Sequence, residues 1–222
     1  MSYIGKQPSP AVLTASDIID GIVSNAKPAQ DIISADTALG AEPADTDEFL
    51  VSDAGTLKRM DYSYIKGGGI TQADQWRLTT SITATNADIT ANLERSDDAS
   101  FGRIGTGMTE SSGIFTFPST GIYQIILFGT FLVEGTAEVS MELDLYATTN
   151  NSTYVKVLNI QQGNQTTSTC FQTASKSCFV DVTDTANVKV KFATGSLSSN
   201  SVVLGSTSEN RSSFIFIRVG DT

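Results

Sequence analysis

GIFTFPSTGIYQIILFGTFLVEG, residues 113–135, decides the fold. Phe115-Thr116-Phe117 alternates as a short strand does, so 113–117 is read as one strand. Pro118 removes a ladder donor and Gly121 weakens a strand interior. Pro118-Ser119-Thr120-Gly121 is therefore the corner at which the chain is re-aimed. Residues 122–133 follow with almost no polar relief, the pattern of a central strand covered on both faces.

Strand patterns continue outward from this stretch. AEVSMELDLY, residues 137–146, places Val139, Met141, Leu143 and Leu145 on one face and Ser140, Glu142 and Asp144 on the other. YVKVLNI at 154–160, a long mixed strand at 169–182, NVKVKF at 187–192 and SSFIFIRV at 212–219 complete the set. In NVKVKF, Val188, Val190 and Phe192 point inward. Short strands joined by Ser, Thr, Asn and Gly turns, with no helical period between them, indicate an antiparallel sandwich or barrel.

The chain changes character near Gly67-Gly68-Gly69. TASDIIDGIVSN, from Thr14, has capping-box spacing at Thr14 and Asp17, and Ile18, Ile19, Ile22 and Val23 on one helical face. Gly21 weakens that helix and Pro28 stops it. Phe49–Ser52, a turn at Asp53-Ala54-Gly55 and Thr56–Met60 read as a β-hairpin, and 61–66 as one helical turn. A lone hairpin is marginal in water, so residues 1–69 are expected to be a docking segment ordered by partners, and residues 70–222 a β-domain.

The 222 residues carry a formal net charge of -10 and no histidine. An acidic surface argues against nucleic-acid backbones and anionic membranes. The missing histidine removes Ser-His and Cys-His nucleophile pairs and the commonest metal ligand. The longest apolar run, GIYQIILFGTFLV, is about 13 residues, too short for a bilayer-spanning helix. MSYIGKQPSPAVLT has no apolar core of a secretory signal, so no export and no membrane insertion are expected. Cys170 and Cys178 on one extended strand lie about 26 Å apart at ~3.3 Å per residue, so two free thiols are expected unless 172–176 forms a tight hairpin.

Three blocks carry a resemblance. GIFTFPSTGIYQIILFGTF resembles the signature of the C1q/TNF-like jelly roll: a Gly, Phe-Thr-x-Pro, Gly-x-Tyr and an apolar strand. SSFIFIRVGDT resembles the family's closing strand, and FVDVTDTANVKVKF its penultimate segment. The match covers about residues 72–222. It departs at Asp184-Thr185-Ala186-Asn187, where the family has a Gly-Asp pair and some members ligate calcium. The resemblance implies an all-β, ten-stranded jelly-roll sandwich assembled as a homotrimer. Strands 122–133 and 214–219, apolar on both faces, independently suggest a partner subunit. Trp76, Tyr123, Ile125, Leu127, Phe214 and Phe216 are the candidate residues of the core or trimer interface.

MSYIGKQP, SDIIDGIVS and DTDEFLVSDAGTLKRMDYSYIKGG resemble opening segments of tail-fibre and other virion structural proteins of tailed bacteriophages, particularly marine ones. The resemblance implies that residues 1–69 dock to other virion proteins, a tail adaptor or hub or the major capsid protein. Ile18, Ile19, Ile22, Phe49 and Leu57 are the candidate docking residues.

GRIGTG at 102–107 lacks the Lys-Ser/Thr of a phosphate loop and reads as a turn. Asp97-Asp98 and Asp181/Asp184 are loop aspartates that double as weak calcium candidates. Trp76 reads as core or interface before it reads as a glycan platform. Glu134, Glu138, Glu142 and Asp144 are the carboxylates a glycosidase would draw on, but no repeat of a β-helical depolymerase is visible. The expectation is a non-enzymatic trimeric virion protein without a cofactor, a short fibre or spike whose knob attaches to a host receptor or glycan. Residues 83–100 are one candidate contact surface. The alternative is a capsid decoration protein clamped to the shell by its N-terminal segment. A secreted C1q-like protein is a third class, disfavoured by the absent leader and stalk.

Overall fold

A computed structural model describes Thr14 and residues 37–65, 69–165 and 167–222. Its contacts divide the chain into two compact units, Met1–Gly67 and Gly68–Thr222. The predicted helix with Ile18, Ile19 and Ile22 lies outside the described residues.

In the first unit, β1 (Glu48–Asp53) pairs antiparallel with β2 (Thr56–Asp61). Ala54 and Gly55 both have positive φ, 49° and 87°, the two-residue primed turn whose twist suits a hairpin. Asp53 and Lys58 are ion-paired beside it, and Arg59 reaches Glu48 at 2.7 Å. A 3-10 turn, Tyr62–Tyr64, follows where one helical turn was predicted, and Tyr62 packs on Phe49 with ring centroids 6.1 Å apart.

The second unit is a two-sheet antiparallel sandwich. Its strands are β3 (Ala73–Leu78), β4 (Ile82–Thr83), β5 (Leu93–Arg95), β6 (Thr109–Ser111), β7 (Ile114–Thr116), β8 (Gly121–Val133), β9 (Glu138–Thr148), β10 (Val155–Asn164), β11 (Cys170–Val182), β12 (Lys189–Gly195), β13 (Ser201–Val203) and β14 (Ser213–Gly220). One sheet has five strands, in the order β10-β9-β12-β7-β6. The other has seven: β8 lies between β11 on one side and β13 with β14 on the other, and β3 and β5 extend the sheet beyond β14. The two sheets exceed the ten strands of the resemblance because short pieces such as two-residue β4 and three-residue β13 are separate strands.

The core lies between the sheets and is largely aromatic. Phe192 of β12 stacks on Phe214 of β14 with centroids 3.9 Å apart, joining the two layers. Phe115 meets Trp76 edge-on at 5.2 Å and Phe216 at 5.3 Å. Such pairs add about 1 kcal/mol each beyond the area they bury. The predicted inward set of 187–192, Val188, Val190 and Phe192, is buried. On β9 the inward set is Met141, Leu143 and Leu145, but Val139 is 89% exposed because the core ends at Met141.

The corner behaves as its residues require. Gly121 has φ 138°, and a Cβ there would lie 2.4 Å from Arg218 Nε. Tyr123 then turns its hydroxyl back to Ser119, 3.0 Å from Oγ. The expectation of a strand covered on both faces needs correction. Tyr123, Ile125, Leu127, Phe131 and Val133 are buried, while Ile122, Gln124, Ile126, Thr130 and Leu132 are half-exposed and Phe128 is exposed. No described residue of the chain covers the second face enough to bury it.

Candidate interaction face

Alternation along β8 separates two side-chain sets, and register extends each set across the sheet. Ile126 lies opposite Ile215 of β14 and Ser177 of β11; Gln124 lies opposite Ile217 and Phe179; Leu132 lies opposite Phe171. The face turned away from the core therefore carries Ile122, Ile126, Phe128, Leu132, Ile215, Ile217, Phe171 and Phe179. Phe171 and Phe179 are 64% and 66% exposed. Single exposed apolar residues are ordinary, but a contiguous stripe across three neighbouring strands marks a contact surface.

β11 forms the edge of this sheet and pairs with β8 through 13 consecutive residues without a bulge. A long flat edge is a template for unwanted pairing. Two glutamines cover part of it: Gln162 Nε2 donates to Thr173 O at 3.0 Å, and Gln172 Nε2 to Gly163 O at 2.9 Å. They tie β11 to β10 across the open side of the sandwich. Cys170 and Cys178 lie on this one continuous strand, both free, so the tight-hairpin alternative does not form. Burial pushes the Cys178 thiol up from its ordinary pKa.

The opposite end of the seven-stranded sheet is held by buried charge. Asp74 accepts from Arg95 Nε at 2.8 Å, Arg95 Nη2 at 3.0 Å, Trp76 Nε1 at 2.9 Å and the Met108 amide at 2.7 Å. Arg95 also donates to Met108 O at 2.6 Å and lies over the Trp76 ring at 4.9 Å. GRIGTG is the loop these bonds hold: Gly107 has φ 75°, and a Cβ there would lie 2.7 Å from Asp74 Oδ2. Arg77, 1% exposed, pairs with Glu94 at 2.7 Å and Asp97 at 2.6 Å and donates to Thr207 O.

The outward face of the five-stranded sheet is polar. Lys156 reaches Asp144 at 2.6 Å and Glu142 at 3.3 Å, and Asn159 donates to both carboxylates. Burial pushes the Glu142 carboxyl up, but hydrogen bonds from Ser196, Lys156 and Ser140 outweigh it and hold the pKa below its ordinary value. The bond to Asp144 holds the Lys156 pKa above its ordinary value. These two carboxylates are tied to a lysine and an amide, which is the arrangement of a structural network.

The candidate residues from the sequence divide sharply. Trp76, Tyr123, Ile125, Leu127, Phe214 and Phe216 are all buried between the sheets of one protomer, at 8% exposure or less. The outward face of the same sheet is formed by their strand neighbours. None of the outward set was among the candidates: Ile126, Leu132, Ile215 and Ile217 alternate with the candidate residues on β8 and β14, and Phe171 and Phe179 lie on a strand that reads as mixed. In the hairpin, Phe49 and Leu57 are exposed, and so is Leu50. Leu50 and Leu57 share a hairpin face, opposite Arg59 and Ser52 respectively.

The calcium candidates are engaged separately. Asp97 pairs with Arg77, Asp98 accepts from the Ser100 amide at 2.9 Å, and Asp184 accepts from the Ala186 amide at 2.7 Å. Among the described residues no group of three or more acidic or cysteine side chains is placed to hold a metal ion. No described helix is long and apolar enough to cross a membrane.

No protein-family model and no curated protein matches the sequence. Solved structures match the fold. The Eiger TNF of S. frugiperda superposes with a TM-score of 0.51 at 11% identity, over 69% of this chain and 96% of that chain. Murine APRIL at pH 5.0 superposes with a TM-score of 0.49 at 8% identity, over 67% and 98% respectively. The fold is an antiparallel TNF-like jelly roll.

Proposed function

We propose that this chain is a non-enzymatic homotrimeric structural protein of a tailed-bacteriophage virion, docked by its N-terminal unit and presenting the jelly roll as an adhesive knob for the host surface. The carrying observation is the outward apolar stripe of β8, β14 and β11, with Phe171 and Phe179 exposed in a single protomer. A stripe on one face, beside a β11 edge that two glutamines cover only in part, suits a head-to-tail contact, and threefold closure covers it without growing a filament. Three knobs per trimer and many trimers per particle would multiply weak contacts into firm attachment. The virion setting is supported by the resemblance of residues 1–69 to phage structural proteins. The exposed Leu50 and Leu57 of the hairpin supply an apolar surface for docking.

The same hairpin serves a second reading, a decoration protein that clamps the capsid. Immunogold labelling of phage particles with antibody to this chain tests both. Gold at the tail supports a fibre or spike, and gold over the shell supports decoration. Particles that stay unlabelled while the antibody recognises the free chain contradict a virion protein.

A further inference from the structure

Between β3, β5 and the loop at 101–103 lies a pocket of about 180 Å³, lined by Asp74, Arg95, Ser96, Phe101 and Arg103 among others. It lies at the β5 end of the seven-stranded sheet, away from the β11 edge.

Charge singles this pocket out. Arg59, Arg77, Arg95, Arg211 and Arg218 each have a carboxylate partner. Arg103 alone among the described arginines has none, and it is exposed on a chain of net charge -10. Asp74 in the pocket wall is already neutralised by Arg95, so Arg103 is the uncompensated charge. The nearby acids are engaged elsewhere: Asp97 on Arg77, and Asp98 on the Ser100 amide and hydroxyl.

A single free guanidinium matches a carboxylate with two parallel hydrogen bonds. Beside it, Phe101 is a partly exposed aromatic wall, suited to the C–H face of a ring. Gln75 and Ser96 bring polar groups to the same pocket. Drug-sized ligands need roughly 300 Å³ or more, so 180 Å³ suits one sugar residue. We propose that this pocket binds one carboxylate-bearing sugar, a uronate, with Arg103 as its counter-ion and Phe101 against its ring. The proposal rests on the adhesive reading of the knob and gives it a ligand class.

The test uses the full-length chain with methyl β-D-glucuronide and its neutral counterpart methyl β-D-glucoside, by saturation-transfer NMR and titration calorimetry. The glucuronide is expected to bind about tenfold tighter or more, the worth of a charge-assisted pair. Arg103→Gln is expected to erase that difference with an unchanged melting midpoint, since Arg103 has no partner to lose. Phe101→Ala is expected to weaken both glycosides. Absence of glucuronide binding, equal binding of the two glycosides, or an Arg103→Gln chain that binds the glucuronide as the parent does overturns the proposal. N-acetyl-L-aspartate bound as tightly as the glucuronide overturns the sugar assignment. The mass of the same samples separates this from the knob reading. A trimer that ignores glucuronide removes the pocket and leaves the knob; a monomer that binds it supports the pocket and removes the trimer.

Discussion

Asp74 Oδ2 accepts a hydrogen bond from Trp76 Nε1 at 2.9 Å, between two side chains on the same core-facing side of β3. That bond lets the only tryptophan of the chain lie in an aromatic core with its indole N–H satisfied. Arg95 and the Gln75 and Met108 amides also donate to the carboxylate. Removing the carboxylate leaves Trp76 Nε1, Arg95 Nε and the Gln75 and Met108 amides without this acceptor. Asp74→Ala is expected to cost about 3 kcal/mol. Denaturant unfolding followed by Trp76 fluorescence measures it, and a loss under about 1 kcal/mol would show that the network is solvated.

Gly113 tests how closely two loops approach. It has φ 83°, and a Cβ would lie 2.2 Å from the Ile89 carbonyl oxygen, a backbone atom. The Ile89 amide donates to Phe192 O at 2.8 Å, which pins this stretch of the loop to β12. Gly113→Ala combines backbone strain with overpacking and is expected to destabilise by about 2 kcal/mol or more. Gly135, also at positive φ but with open space around it, is the control: Gly135→Ala carries the strain without the clash. Equal losses at the two sites would contradict the close approach.

Gln162 and Gln172 cross-tie the edges of β10 and β11. The double change to Ala is expected to cost about 2 kcal/mol and to raise aggregation on heating by freeing the edge. Scattering recorded during a thermal ramp measures the second effect. An unchanged onset of aggregation would mean the edge is protected by other means.

Glu142 and Lys156 set opposite ends of the pH profile. The Glu142 carboxyl is held below its ordinary pKa, so its contribution is present above the ordinary glutamate range and is lost as pH falls through the lowered value. Lys156 is held above its ordinary pKa, so its contribution is present below the ordinary lysine range and is lost as pH rises through the raised value. Glu142→Gln is expected to flatten the acid limb and leave the alkaline limb in place. Lys156→Met is expected to flatten the alkaline limb, and to weaken the acid limb too, since Lys156 helps hold the Glu142 pKa down. Melting midpoints across pH separate them, and identical profiles for parent and Glu142→Gln would refute the network.

Much of the fold was legible because the apolar pattern is strong where it matters. Pro118 and Gly121 mark the corner, and the alternation in 137–146 and 187–192 gives strands and inward faces. The outward apolar face was harder to read. In 122–133 both side-chain sets are apolar, and hydrophobicity alone does not tell core from surface. Gln124 and Thr130 share one parity, and they were the available signal for the open face. The mixed pattern of β11 hid Phe171 and Phe179, because an edge strand with Ser and Thr between its aromatics looks neither buried nor exposed. The Asp74 network was illegible because Arg95 and Met108 reach it from distant positions in the chain.

In the proposed homotrimer, copies of this chain cover the apolar face of the seven-stranded sheet. The most direct test is the solution mass of the full chain by multi-angle light scattering, beside Ile126→Asp and Phe179→Asp. Three times the 23.5 kDa chain mass is expected for the parent, and one chain mass with an intact β-sheet spectrum for each variant. A parent that stays monomeric throughout the accessible concentration range, or variants that keep the trimer mass, would contradict it.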